Sequence, residues 1–141
     1  MKTLLNRVAK SEFVLSDFLV CGVVLTGTEI KAIRAGKANL TGSYARVLTD
    51  PKSRDPELWL VGMSVENSDV AKRKLLVIKK QLAHLIGASQ QKNQTLVVVK
   101  GFFQHGYFKV EIGLGKRLKK YEKRAKLREI DMDRRAARAR S

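Results

Sequence analysis

The chain has 141 residues, 29 of them Lys or Arg against 13 Asp or Glu, a formal net charge of +16 with 44% apolar residues and only two Pro. That length suits one domain with an appendage, the apolar fraction excludes disorder across the body, and a single Cys excludes disulfide and zinc-cysteine frameworks. The charge calls for a polyanion, nucleic acid before an anionic membrane surface.

In chain order, residues 1–10 lack the apolar core of a secretion signal. The longest apolar run, Phe13 to Leu25, is interrupted by Ser16 and Asp17 and is too poor in apolar residues to span a bilayer, so no membrane association and a cytoplasmic address are expected. Phe13, Leu15 and Leu19 to Leu25 have the β-branched and aromatic content of strands, with a hairpin or bend at Ser16-Asp17. Cys21 lies among apolar neighbours and reads as a buried structural thiol. Thr26-Gly27-Thr28-Glu29 has the form of a capping box, which predicts a short helix to about Ala35, with Ile30 and Ile33 on one face, Lys31 and Arg34 on another, and Gly36 as its stop.

Tyr44 to Leu48 and Leu58 to Met63, the latter with Trp59, read as further strands joined by a surface loop holding Pro51 and Pro56. After Lys72-Arg73-Lys74, the run Leu75-Leu76-Val77-Ile78 predicts a buried strand. Leu82, Leu85 and Ile86 then predict a helix ending at Gly87. Ser89 to Gln94 is a polar loop before the apolar run Leu96 to Val99, and Gln104-His105-Gly106 is a tight turn between Phe102-Phe103 and the strand Tyr107 to Ile112. Six or seven short strands with two short helices and closely spaced turns favour a mainly β fold, a small closed or partly closed barrel of the OB type, over residues 1–114. Such barrels commonly present a face to oligonucleotides, which is an analogy of fold alone.

Residues 115–141 form a basic C-terminal tail with twelve Lys or Arg and four Asp or Glu. Glu122 with Lys126 and Asp131 with Arg135 stand at i, i+4, and Ala recurs. The apolar stripe of Leu118, Tyr121, Leu127 and Ile130 is thin, so the tail is expected to be disordered or helical, ordering on RNA.

Catalytic chemistry has little to draw on. His84 reads as a surface residue, His105 as a turn residue, and no metal, cofactor or nucleophile motif is present. Lys31, Arg34 and Lys37, then Lys72, Arg73 and Lys74, then the tail make three basic groups that together favour RNA or DNA. Composition alone does not choose between the two.

The run Gly22 to Leu40 (GVVLTGTEIKAIRAGKANL) with Ser43-Tyr44 closely resembles the signature of the SmpB family. Asn6-Arg7, Trp59 to Met63, Arg73 to Leu76, Leu85 to Gly87, Lys109 to Glu111 and Glu122-Lys123-Arg124 continue the resemblance in order. It implies an OB-like barrel, with no cofactor and no enzyme activity, that binds the tRNA-like domain of transfer-messenger RNA (tmRNA) and escorts it to the A site of stalled ribosomes for trans-translation. Carried over by residue, Asn6, Lys31, Arg34, Lys37, Asn39, Arg73 and Lys74 would hold tmRNA. Tyr121, Glu122, Lys123, Arg124, Lys126 and Arg128 would meet ribosomal RNA at the decoding centre and in the empty messenger channel of the small subunit. A monomer is expected. The chain departs from the family pattern at Val20, where members usually have Glu, at Ser11 for a common His, and at Arg117, Leu118 and Ile130. A ribosomal protein or general RNA chaperone is the competing reading, and a basic-tailed nuclease a more distant one.

Overall fold

The structure is a computed structural model describing residues 3–90, 94–118 and 120–139; the side chains of 120–123 and 139 fall outside the described set, as does the middle of the polar loop expected at Ser89 to Gln94. Among the described residues the elements are β1 (Leu4–Leu5), α1 (Ala9–Glu12), β2 (Phe13–Val23), α2 (Gly27–Arg34), β3 (Ala38–Asn39), β4 (Tyr44–Thr49), β5 (Pro56–Val61), β6 (Ser64–Val65), β7 (Lys72–Leu76), α3 (Lys79–Ser89), β8 (Gln94–Gln104), β9 (Tyr107–Arg117) and α4 (Lys120–Ala139).

The ring runs β8-β4-β5-β7-β2-β9 and closes where β9 pairs back onto β8, every pairing antiparallel. Closure removes the sheet edges. It is the OB-like barrel expected, but three of its strands are long. β2, β8 and β9 each span 11 residues. β2 continues through Ser16-Asp17 with a bend and no hairpin, because one extra residue is accommodated as a bulge: Ser16 faces Leu114, Leu19 faces Ile112, and Asp17 takes φ 52°. A second bulge, between Val98 and Lys100, bends β8 on the other side of β9. Both let long strands curve into a small barrel.

The interior is filled by Cys21, Leu58, Leu60, Leu75, Leu96, Val98, Phe108, Val110, Ile112 and Leu114, with Ile33 from α2 and Leu85 from α3 joining the same cluster. Burying each Leu fully contributes about 1.5–3 kcal/mol. The capping box is present: the Thr26 hydroxyl accepts from the Glu29 amide at 3.2 Å, and Glu29 Oε1 accepts from the Thr26 amide at 3.2 Å. Gly36 follows with φ 77°. The hairpin at His105-Gly106 is a two-residue turn with both residues at positive φ, 52° and 81°, and it sets Gln104 opposite Tyr107.

Three expectations shift in register or extent. The buried run expected at Leu75 to Ile78 is instead a strand from Lys72 to Leu76 that alternates, Arg73 and Leu75 inward, Lys72, Lys74 and Leu76 outward; Ile78 is 63% exposed and opens α3. A period of two, not an apolar run, decides which side chains are inside. β5 ends at Val61, since Gly62 at φ 90° turns the chain and brings its Cβ position within 3.3 Å of Ser43 Cα. α3 continues past Gly87 to Ser89.

β9 passes through the 114/115 boundary to Arg117, and the Leu118 amide then donates to the Glu12 carbonyl at 2.9 Å. Gly113 and Gly115 lie inside this strand, where Cβ atoms would stand 3.2 Å from the Phe18 ring and 2.7 Å from Val97 Cγ2 respectively. Missing side chains there let Phe18 and Phe13 lie against the sheet. α4 packs on α1 along the same side.

Candidate nucleic-acid interface

The centre of the site is a buried ion pair. β7 points Arg73 inward, and its Nε donates to Glu29 Oε2 at 2.7 Å, with side chains 2% and 7% exposed. Arg73 Nη1 also donates to the Met63 carbonyl at 2.9 Å, and Ser68 Oγ is shared between Glu29 and Arg73 at 3.3 Å each. Burial pushes the Glu29 carboxyl upward, but the hydrogen bonds from Arg73 and Thr26, with the guanidinium charge, outweigh it and hold the pKa below the ordinary value of 4.5. One carboxylate thus caps α2 and ties it to β7 and to the segment after β6.

Asn6 plays a comparable part for the N-terminal segment. Its Nδ2 donates to the carbonyls of Ser43 at 3.0 Å and Val98 at 2.8 Å, while its Oδ1 accepts from the amides of Gly42 at 3.0 Å and Val8 at 3.3 Å. It is 5% exposed with its amide fully employed. Asn6 and Arg73 therefore position backbone from within.

The remaining sequence-predicted groups on the barrel lie at the surface. Lys31 and Arg34 project from α2, Lys37 and Asn39 follow it, and Lys74 stands on β7. The Arg34 guanidinium lies 5.0 Å from the Phe103 ring centroid, joining α2 to the end of β8. Lys37 is 3.7 Å from Glu66, and Asn39 Oδ1 accepts from the Thr41 amide at 2.8 Å. Lys74 is 2.7 Å from Glu57, and that hydrogen bond holds its pKa above the ordinary 10.5. Lys31, Arg34, Lys37 and Asn39 form one grouping on and just after α2, whereas Lys74 sits across the barrel wall beside Trp59 and Lys72.

Lys72, a member of the second basic group though not among the residues carried over for tmRNA, stands 4.7 Å over the Trp59 ring. Its signal was the Val61–Lys72 and Trp59–Lys74 register, which no single-strand pattern displays. In α4, Arg124 and Arg128 are exposed and Lys126 is 3.7 Å from Glu129; the side chains of Tyr121, Glu122 and Lys123 lie outside the described residues. Asp131 and Arg135 pair at 3.1 Å in the expected i, i+4 order.

Cys21 is 1% exposed, and burial pushes its thiol up to about 12. His84 is on α3 with Nε2 4.0 Å from Asp17 Oδ2, and His105 is in the hairpin turn. Among the described residues no group of three His, Cys, Asp or Glu could hold a metal, and no helix is long and apolar enough to cross a membrane. A cavity of about 1050 Å³ lies between α4 and the barrel; Arg7, Lys10, Lys100 and Arg134 line it with Phe18 and Ile130.

These features define a class: a small OB-like β-barrel with a cationic face around α2 and a basic C-terminal helix. Within that class, the chain belongs to the SmpB family, whose model, described as "SmpB protein", matches residues 3–141. It is 40% identical over 141 residues to the SsrA-binding protein of Shouchella clausii (strain KSM-K16), covering 95% of this chain and 88% of that one. It is 36% identical over 138 residues to the SsrA-binding protein of Limosilactobacillus reuteri (strain DSM 20016), covering 92% and 84%. A solved structure described as "tmRNA-SmpB: a journey to the center of the bacterial ribosome" superposes with a TM-score of 0.64 at 34% identity, covering 91% of this chain and 96% of its own.

Proposed function

We propose that the protein is a non-enzymatic adaptor that binds the tRNA-like domain of tmRNA in the bacterial cytoplasm and delivers it to stalled ribosomes for trans-translation. The single observation that carries this reading is the match, in family and in fold over nearly the whole chain, to SmpB and to a structure of tmRNA with SmpB. The exposed Lys31, Arg34, Lys37, Asn39 and Lys74 supply phosphate and ribose contacts. Asn6 and Arg73 hold the backbone that presents them, since both are buried.

The tail enters the vacant messenger channel as a helix, with Tyr121, Glu122, Lys123, Arg124, Lys126 and Arg128 against ribosomal RNA. Its support is chemical: a helix with Arg124 and Arg128 exposed and few apolar groups gains more from neutralising phosphates than from packing on its own barrel.

Competition gel shifts of the full chain test the first half. The tmRNA complex should persist as salt is raised while complexes with unrelated structured RNA dissolve. Equal loss for both would favour a general RNA chaperone. Ending the chain after Leu118, beyond β9, should leave tmRNA binding intact and abolish tagging of stalled peptides; tagging that survived would refute the account of the tail.

A further inference from the structure

The β8–β9 hairpin projects a face that none of the groups above uses. Its register pairs Gln104 with Tyr107, Phe102 with Lys109 and Lys100 with Glu111, and alternation puts these six on the outer side, opposite the buried Gly101, Phe108 and Val110. Tyr107 is 73% exposed, the most exposed of the large hydrophobic side chains among the described residues. Phe102 is its diagonal neighbour across the ladder, within reach for aromatic rings on one face. Lys100 Nζ lies 5.8 Å from the Phe102 ring centroid, and Lys109 stands directly opposite Phe102.

The platform is held rigidly. The His105-Gly106 turn fixes the register, Phe103 and Phe108 meet edge to face at 5.3 Å beneath it, and a side chain at Gly101 would collide with Phe108. Arg34 over Phe103 makes the hairpin continuous with the cationic grouping on α2. At its inner end, Lys100 and Glu111 also line the cavity under α4, so the face leads from an open tip toward further cations.

We infer that the outer face of this hairpin is a stacking platform for unpaired RNA bases, with Tyr107 and Phe102 as the rings and Lys100 and Lys109 as the phosphate contacts. An exposed Tyr107 ring beside a half-buried Phe102 ring, flanked by lysines, suits single strands, because every base has a π face and the backbone between bases is anionic. A duplex keeps its bases stacked internally and offers the rings nothing. The inference rests on the RNA-binding reading above and adds to it a second contact, specific for unpaired nucleotides.

The test uses the full chain and an oligouridylate RNA of about ten nucleotides, whose bases stack weakly on one another, carrying one 2-aminopurine, whose fluorescence is quenched on stacking. Binding of the wild type should quench the probe. Tyr107→Phe should keep both quenching and affinity, Tyr107→Ala should lose most of the quenching and weaken affinity about tenfold, and Lys109→Gln should reduce the salt dependence of binding. Duplex RNA of the same length should bind Tyr107→Ala and wild type equally. Equal behaviour of Tyr107→Ala and Tyr107→Phe toward the oligonucleotide would overturn the inference, as would equal weakening of duplex and single strand, or a hairpin that binds a protein partner and leaves the probe unquenched. Affinity for the tRNA-like domain is measured alongside: its absence in the wild type refutes the proposed function, whereas its presence with an unresponsive oligonucleotide refutes only the platform.

Discussion

Replacing Glu29 by Gln tests the buried pair on which the site is built. The change is nearly isosteric and leaves the side-chain oxygen able to accept from the Thr26 amide, so the cap of α2 is largely kept. What is lost is the charge facing the guanidinium of Arg73, whose side chain is 2% exposed. Breaking a buried pair by removing one partner costs about 3–5 kcal/mol, because the other charge is left in a poorly solvating interior. The Met63 carbonyl and Ser68 hydroxyl still accept from the guanidinium, which places the expected loss at the lower end, about 3 kcal/mol.

Urea unfolding at neutral pH should therefore show a lower midpoint with an unchanged slope, and the melting temperature should drop by about 10 °C or more. The double variant Glu29→Gln with Arg73→Met should recover part of the loss, because the unpaired charge is gone. The pH dependence has a definite sign. The folded Glu29 carboxyl titrates below its ordinary value of 4.5, so its contribution is complete above that value and fades as pH falls through the folded pKa. Wild type should lose stability in that acid range and Glu29→Gln should lose less. A loss under about 1 kcal/mol for Glu29→Gln, the size of an exposed pair, would refute the claim that this pair ties α2 to β7.

Two further outcomes follow from the packing. Gly101→Ala puts a Cβ 2.5 Å from Phe108 Cζ and 2.9 Å from Leu40 Cδ1, so it should destabilise the barrel by about 1–3 kcal/mol in thermal unfolding. A neutral result would mean that the hairpin base is looser than described. Cys21, buried and pushed up to about 12, should resist thiol reagents in the native protein at pH 8 and react at the rate of a free thiol in denaturant; rapid labelling of the folded chain would contradict its placement.

Much of this protein is written locally. The cap of α2, the Gly36 stop and the His105-Gly106 turn depend on residues adjacent in sequence, and a chain-order reading found each of them. The polyanion-directed charge and the family signature are likewise properties of composition and order.

What adjacency cannot carry is the far partner. Arg73 stands in a run of three cations that reads as an outward, polyanion-facing group, and only the β7 pleat together with Glu29, forty-four positions away, turns it inward. Asn6 carries no local sign that its amide is bonded to the Val98 carbonyl, ninety-two residues on. Gly113 and Gly115 are where Phe18 and Phe13 rest on the sheet, a contact that no neighbour along the chain announces. The bulge at Asp17 shows why: a polar pair in an apolar run permits a turn or a kink equally well locally, and pairing with β9 on both sides of it makes the kink the lower in free energy. By itself the sequence determined that the chain is a basic, mainly β barrel of the SmpB family with a cationic tail. Only the tertiary structure decided which of its cations face outward, because inside and outside are set by strand register across the ring and not by neighbours along the chain.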